Sequence, residues 1–287
     1  MTVQSMGDRI ESVAHGLAKR ALGRRRLAVR ELRNKVVLGH SALALRRFED
    51  AEVARLAGPL QMPYARVAVV TATYRRPELL LSAVRSALAQ TVRDLIVLVV
   101  DDGGGLPELP DDPRLRVCSL SVNTKVLGVV LNTGIRLTRS AYVAFLDDDN
   151  EWEPQHLEVA LGKLEAGRPG KRPGLVYTAL RRSFPDGTLM DVLSTPFDRR
   201  RLAHEGFVDT NSLVIRRFPG LHFSRIRRPI GLRPREDWEL VYRLSRRVPT
   251  EHVPVPTVRY RVNPDSYYTD WTRVIEAGGL PADAPHS

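Results

Sequence analysis

Covalent cross-linking is nearly absent from this chain: Cys118 is its only cysteine in 287 residues. No internal disulfide can form, and a reducing, intracellular setting is the simplest expectation. Cys118 falls in the apolar run Leu115 to Leu120, where it reads as a small buried hydrophobe without chemistry. Long apolar runs are missing too. The longest aliphatic stretch, Leu95 to Val100, is far short of the ~20 residues that span a bilayer. Asp8, Arg9 and Glu11 stand where an export signal would carry its apolar stretch, so a cytoplasmic location is expected. Aromatic residues are scarce, at 6%, and form no interleaved basic and aromatic stripe, so nucleic acid is not the expected partner. Gly103-Gly104-Gly105 is neither the spaced dinucleotide fingerprint nor a phosphate loop ending in Lys-Ser or Lys-Thr, which excludes dehydrogenase-like and kinase-like readings.

What is present suits a soluble globular protein: 43% hydrophobic and 27% charged residues, enough chain for one large domain with an appendage. The formal net charge of +11 comes mostly from arginine and calls for an anionic partner: a nucleotide, a phospholipid surface or nucleic acid. Residues 1–61 stand apart as a basic helical extension. Up to residue 60 they hold twelve Lys or Arg against six Asp or Glu, with Phe48 the only aromatic and Pro59 the only proline. Ile10, Val13, Leu17 and Ala21 recur at helical spacing, and Leu32 and Val36 resume it after the Arg24-Arg25-Arg26 cluster. Such a segment is a solvated arm packed on its own domain, or a peripheral contact with an anionic membrane.

From Arg66 onward short β-rich runs alternate with helical stretches. Arg66 to Ala72, Leu95 to Val100, Leu115 to Leu120 and Tyr142 to Leu146 read as strands. Pro77, with Glu78 beside it, opens a helix whose apolar side is Leu80, Val84, Ala87 and Leu88; Val126 to Leu137 reads as another. The alternation predicts an α/β fold with a mostly parallel central sheet flanked by helices, which binds its ligand at the carboxyl ends of the strands. After residue 151 the pattern is more mixed: a helix from Pro154 to about Glu165, a hairpin turning at Pro185-Asp186-Gly187, a strand Asn211 to Arg216 and a helix near Arg235 to Arg247. Residues 271–287 read as a loose tail.

Four polar clusters fall where ligands are expected. Thr71-Ala72-Thr73-Tyr74-Arg75-Arg76 ends the first strand ahead of the helix at Pro77; a helix amino terminus favours anions, and Tyr74 offers a flat face to a base. Asp101-Asp102-Gly103 follows the second strand, where a carboxylate either accepts hydrogen bonds from a base or ribose or simply caps a turn. Asp147-Asp148-Asp149 follows the strand Tyr142 to Leu146. Three adjacent carboxylates repel one another, which points to a cation among them, Mg²⁺ or Mn²⁺ held with substrate phosphates; a solvated acidic turn is the plain alternative. Glu236-Asp237-Trp238 opens a helix, either as ordinary complements of the helix dipole or as a general base.

In this order, Thr-x-Tyr, Asp-Asp-Gly, Asp-x-Asp and Glu-Asp-Trp resemble the inverting glycosyltransferases of family two, over about residues 66 to 266. The resemblance implies a GT-A type domain over 62–270, with a nucleotide-binding half, 62–150, and an acceptor-binding half, 151–270. It implies that Thr71, Thr73, Tyr74 and Arg76 line the nucleotide and that Asp101 or Asp102 meets the base edge. Asp147 and Asp149 match the Asp-x-Asp pair with Asp148 between them, Asp149 being the metal ligand and Asp147 lying nearer the ribose and sugar. Asp237 matches the catalytic base, with Glu236 beside it. Two departures accompany the match. Val130-Leu131-Asn132 keeps the asparagine of the family's Ala-Arg-Asn segment and loses its arginine, and Tyr260-Arg261-Val262-Asn263 puts Asn263 where a metal-binding histidine often lies. Arg259, Arg261 or Lys125 could supply positive charge instead.

The expected activity is transfer of a sugar from a nucleotide-sugar, UDP-linked by resemblance, to an acceptor hydroxyl on a glycan, lipid or small molecule, with a divalent metal as cofactor. Asp209-Thr210-Asn211 and His204-Glu205 are candidate acceptor contacts. Two rivals stay open: a sugar nucleotidyltransferase, although Thr71 to Arg76 lacks a glycine-rich loop, and a non-catalytic binding protein of the same fold.

Overall fold

The computed structural model describes residues 3–168, 170–228 and 234–262, with side chains from residue 27 onward. Asn263 and the tail 271–287 lie outside the described residues. Elements run α1 (Val3–Leu60), β1 (Tyr64–Thr73), α2 (Pro77–Leu88), β2 (Leu95–Asp101), β3 (Leu115–Ser119), α3 (Leu127–Leu137), β4 (Arg139–Phe145), β5 (Glu151–Trp152), α4 (His156–Glu165), β6 (Leu175–Ser183), β7 (Leu189–Leu193), α5 (Arg199–Leu202), β8 (Leu213–Arg216), α6 (Glu236–Leu244) and β9 (Thr250–Arg261).

One sheet organises them, in the order β3-β2-β1-β4-β8-β6-β9-β5, with β7 paired to β6. β1 runs parallel to β2 and to β4, and β2 parallel to β3. β8 then joins antiparallel to β4 and to β6, and β9 returns parallel to β6. The apolar runs of β1 and β2 are continuous rather than alternating because both faces are covered. Val67, Val69, Val97 and Val99 point to a core closed by α2 and α4. Val70, Leu98 and Val100 point to the other, closed by α1, α3 and α6. Gly134 lets α3 lie close to the sheet: a Cβ there would come within 2.3 Å of Val70 Cγ1.

The strand order fixes where the site lies. From β1 the chain builds outward through β2 and β3, then α3 carries it back to pair β4 on the opposite side of β1. That reversal opens a crevice between the carboxyl ends of β1 and β4, the usual ligand position in an open α/β sheet. Pairing of Val70 with Phe145 brings the loop after Thr73 alongside the loop after Phe145.

α1 is one helix of 58 residues whose described part lies along α3 and β3. Leu27, Leu56 and Leu60 enter the core, but the docking is largely ionic. Glu49, wholly buried, accepts from Arg136 (3.0 Å) and from Arg225 (2.6 and 2.7 Å). Glu31 pairs with Arg228 at 3.0 Å, and Glu52 accepts from the Ser121 backbone and hydroxyl at 3.0 Å. No described helix is long and apolar enough to cross a membrane. Cys118 is buried, and burial pushes its thiol up to about 12, which leaves it inert as a nucleophile at neutral pH.

Candidate active site

The loop leaving β1 supplies the first wall. Thr71 is fully buried, and its Oγ1 has no hydrogen-bond partner. Thr73 Oγ1 donates to Asp148 Oδ2 at 2.7 Å. Tyr74 is 38% exposed, with the Arg75 guanidinium 5.1 Å from its ring centroid. Arg75 sits in the left-handed region at φ 56°, turning the chain sharply so that Arg76 faces the β4 loop. Arg76 Nη1 donates to Asp148 Oδ1 at 3.1 Å and to Asp149 Oδ2 at 2.8 Å. The first and third sequence clusters are thus in direct contact.

The acidic pair after β2 is closed on itself. Asp101 is fully buried and accepts from the backbone N–H groups of Gly104 and Gly105 at 2.8 and 2.9 Å. Asp102 accepts from those of Thr124 and Lys125 at 2.9 and 3.1 Å. Both carboxylates clamp loops that form the crevice floor, and Gly104 lies flat beneath Tyr74, where a Cβ would come within 2.9 Å of the ring. Lys125 contributes its backbone to this clamp, in the left-handed region at φ 56°. Asn132 is structural: buried on α3, it bonds Phe223 through both its amide nitrogen and its oxygen, while Leu131 joins the core.

The triplet after β4 is held differently. Asp147 is held by Asn211, whose side chain accepts from the Asp147 N–H at 2.6 Å and donates to Asp147 Oδ2 at 2.8 Å. The same Asn211 amide donates to Asp209 Oδ1 at 2.8 Å. Asp209-Thr210-Asn211, expected to meet the acceptor, therefore buttresses the triplet from within; Asn211 is fully buried. His204 and Glu205 lie on the exposed side of the loop, Glu205 paired with Arg201. Asn150 accepts from the Arg261 backbone at 2.9 Å, which pins the end of β9 against the triplet loop.

Electrostatics shows how close the carboxylates are. Burial, then Asp149 and Asp209, hold Asp147 well above the usual carboxylate range. Asp209 is raised by burial and further by Asp149, against the hydrogen bonds from Asn211. Asp148 is raised by burial, opposed by Thr73 and Arg76. Asp237 opens α6 and accepts from its own Trp238 N–H at 2.6 Å; burial, then the neighbouring Asp209, pushes it up to about 7. Trp238 anchors that helix by donating to the Leu202 carbonyl at 2.6 Å. Glu236 precedes Asp237 in the same first turn.

Asp147, Asp209 and Asp237 are each held above the usual carboxylate range by burial and then by neighbouring carboxylates, Asp149 acting on Asp147 and Asp209, and Asp209 acting on Asp237, as expected of a site short of positive charge. All-oxygen donors suit a hard divalent cation. Among the described residues no group of three or more His, Cys, Asp or Glu forms a ready cage. Beside Asp149 opens a cleft of about 500 Å³ lined by Glu78, Ser82, Asn150, Arg181 and Arg259, among others. Asp209, Asn211 and the Arg76 bridge escaped sequence reasoning as parts of the acidic site; only the Asp-x-Asn spacing, which favours a local cap, hinted that the loop is rigid.

Residues 68–207 match the model described as glycosyl transferase family 2. Among curated proteins the chain is 31% identical over 131 residues to the chondroitin synthase of Escherichia coli, a match covering 43% of this chain and 18% of that one. It is 35% identical over 102 residues to the succinoglycan biosynthesis protein ExoW of Rhizobium meliloti, 32% of each. It is 27% identical to the amylovoran biosynthesis glycosyltransferase AmsB of Erwinia amylovora, over 52% of this chain and 54% of that one. The matched stretches thus span well under two thirds of these relatives' lengths. Among solved structures, TarS of S. aureus in complex with UDP-GlcNAc superposes with a TM-score of 0.51 at 13% identity, over 71% of this chain and 60% of that one. The mannosyltransferase PcManGT of Pyrobaculum calidifontis, with GDP-Man and Mn²⁺, superposes with a TM-score of 0.50 at 15% identity, over 86% and 77%. By the family match and the shared architecture, residues 68–207 form a glycosyl transferase family 2 domain, and the fold is of the GT-A type.

Proposed function

We propose that this protein transfers a sugar from a nucleotide-sugar to an acceptor hydroxyl with inversion at the anomeric carbon, the catalytic unit being residues 62–270. The observation that carries the reading is the convergence of Asp147, Asp209 and Asp237, each raised in proton affinity, with Asp149 beside the first two, on the crevice between β1 and β4. The nucleotide lies over residues 62–150, its base against Tyr74, between the loops that Asp101 and Asp102 hold shut. Two superposing structures carry UDP-GlcNAc and GDP-Man, which supports a nucleotide-sugar donor; a UDP-linked one is our choice.

The acceptor enters over residues 151–270. Asp237 takes the acceptor proton as the acceptor oxygen bonds to the anomeric carbon, and the electron pair of the breaking sugar–phosphate bond leaves on the diphosphate. With a proton affinity near neutrality, Asp237 is matched to that task. Glu236 orients the acceptor. A divalent ion, Mn²⁺ or Mg²⁺, would be held by Asp149 with Asp147 behind it, and would supply charge neutralisation of the departing diphosphate. A cytoplasmic location accords with the single cysteine of the chain.

One observation favours a second reading, a non-catalytic binding protein of the same fold: Arg76 already faces Asp148 and Asp149 with a positive charge. A screen of nucleotide-sugars for manganese-dependent binding and hydrolysis separates the two. Metal-dependent binding with sugar release supports transfer, and calorimetry with UDP and Mn²⁺ that registers no heat would overturn it. Pyrophosphate release from a nucleoside triphosphate and a sugar phosphate would instead identify a nucleotidyltransferase.

A further inference from the structure

The helix α1 has a mixed inner face that the fold covers and an apolar outer stripe that it leaves open. Leu27, Glu31, Asn34, Glu49, Glu52 and Leu56 are buried against the domain. Val29, Leu32, Val36 and Leu43 are spaced by three, four and seven residues, which places them in one stripe on the opposite side. They are open to solvent, Leu32 at 63% and Val36 at 76%, with Val37 beside them at 61%. Isolated exposed apolar residues are ordinary, but five along one helix face form a contiguous patch.

The charges around that patch identify what covers it. Arg30, Arg33, Lys35, Arg46 and Arg47 are all exposed between residues 27 and 47. Glu31, the only acidic residue of that stretch, is turned inward onto Arg228. The outward face therefore joins an apolar stripe to basic flanks without an intervening carboxylate, the pattern of a helix that lies in a negatively charged lipid interface. Self-pairing is disfavoured by the same residues. In a two-helix seam built on Val29, Leu32, Val36 and Leu43, the flanking positions would be Arg33, Lys35, His40 and Arg47, which would set like charges against one another.

We infer that α1 is an interfacial helix that docks the protein on an anionic membrane surface, with Val29, Leu32, Val36, Val37 and Leu43 among the acyl chains and the flanking arginines at the headgroups. At the edge of this stripe Leu32 and Lys35 border a groove shared with Glu239, Tyr242 and Arg243 of α6. The inference does not depend on the proposed reaction, because it concerns only the outward face of α1.

The test is co-sedimentation of the full chain with vesicles of phosphatidylcholine alone and with about a third phosphatidylglycerol, at low and high salt. Binding should require the anionic lipid and weaken with salt, by about fivefold for each basic residue removed, as in Arg30→Ala or Arg33→Ala. The double variant Leu32→Asp/Val36→Asp should lose at least tenfold in vesicle affinity while keeping the thermal midpoint and nucleotide binding of the parent, since both sites are exposed. Equal binding by parent and double variant, or by neutral and anionic vesicles, overturns the inference. So does a dimer in solution that the double variant dissolves without any vesicle binding, which would assign the stripe to a second copy.

Discussion

Two acidic clusters look alike as text: Asp101-Asp102 after β2 and Asp147-Asp148-Asp149 after β4 each follow an apolar strand. Their surroundings make them different chemistry. The first pair is held by four backbone N–H groups, although burial still raises Asp102 against those bonds. The second is held by side chains, Thr73, Arg76 and Asn211, with Asp209 as a further carboxylate beside it. A carboxylate whose oxygens are taken up by its own loop's N–H groups builds structure, whereas one held by side chains and crowded by other carboxylates is placed to take a ligand.

The largest test of that contrast removes the base. Asp237→Asn should lower the transfer rate by about 10² to 10⁴ with donor binding kept; a rate near the parent's would refute its role. The same variant should be more stable at neutral pH. Because Asp237 is held near 7 rather than at its ordinary 3.8, the folded form keeps a proton that the unfolded chain has lost, so stability falls as pH rises from about 4 to about 7 and is level above. Asp237→Asn abolishes that loss, on the order of 4 kcal/mol for a rise from 3.8 to about 7. Its thermal midpoint should therefore exceed the parent's at pH 8 and match it near pH 4.

The next test exchanges the roles of the clusters. Asp102→Ala should unfold more readily by about 2 kcal/mol, since the buried Thr124 N–H loses its acceptor while the Lys125 N–H keeps Asn123. Asp149→Ala should leave stability unchanged or raised and lose manganese binding, read by calorimetry with UDP. A stable Asp102→Ala beside an unstable Asp149→Ala would invert the comparison. Smaller still, Mn²⁺ with UDP at about a hundred times their dissociation constant should stabilise the parent by about 2.7 kcal/mol, and Asp149→Ala by much less. Last, Asn211→Ala should weaken that metal effect without abolishing it, because Asp147 and Asp209 lose a shared donor while Asp149 stays in place.

The parallel half was legible because its strands are unbroken apolar runs: Val67 to Val70 and Leu95 to Val100 are buried on both faces and could be little else. Pro77 marked the start of α2 to the residue. The second half was harder for physical reasons. β9 carries Pro254 and Pro256 and is half exposed, so its composition argues against a long strand. Register shifts between Thr178 and Leu180 absorb the prolines, and only the pairing with β6 makes the strand continuous. At the site, the contact between Arg76 and the triplet required knowing that β1 and β4 are neighbours. Asp209 and Asn211 read as a polar loop because nothing local betrays that a loop is fully buried.

The ionic seam under α1 bears on how the chain is made. The helix leaves the ribosome first, yet Glu49 waits 176 residues for Arg225, and Glu31 waits 197 for Arg228. Glu52 and Glu49 meet Ser121 and Arg136 earlier, so the seam closes in stages and its longest loops close last. A chain arrested before Arg225 would hold α1 by its carboxyl-terminal half alone, so full docking of the helix reports that translation has passed that point.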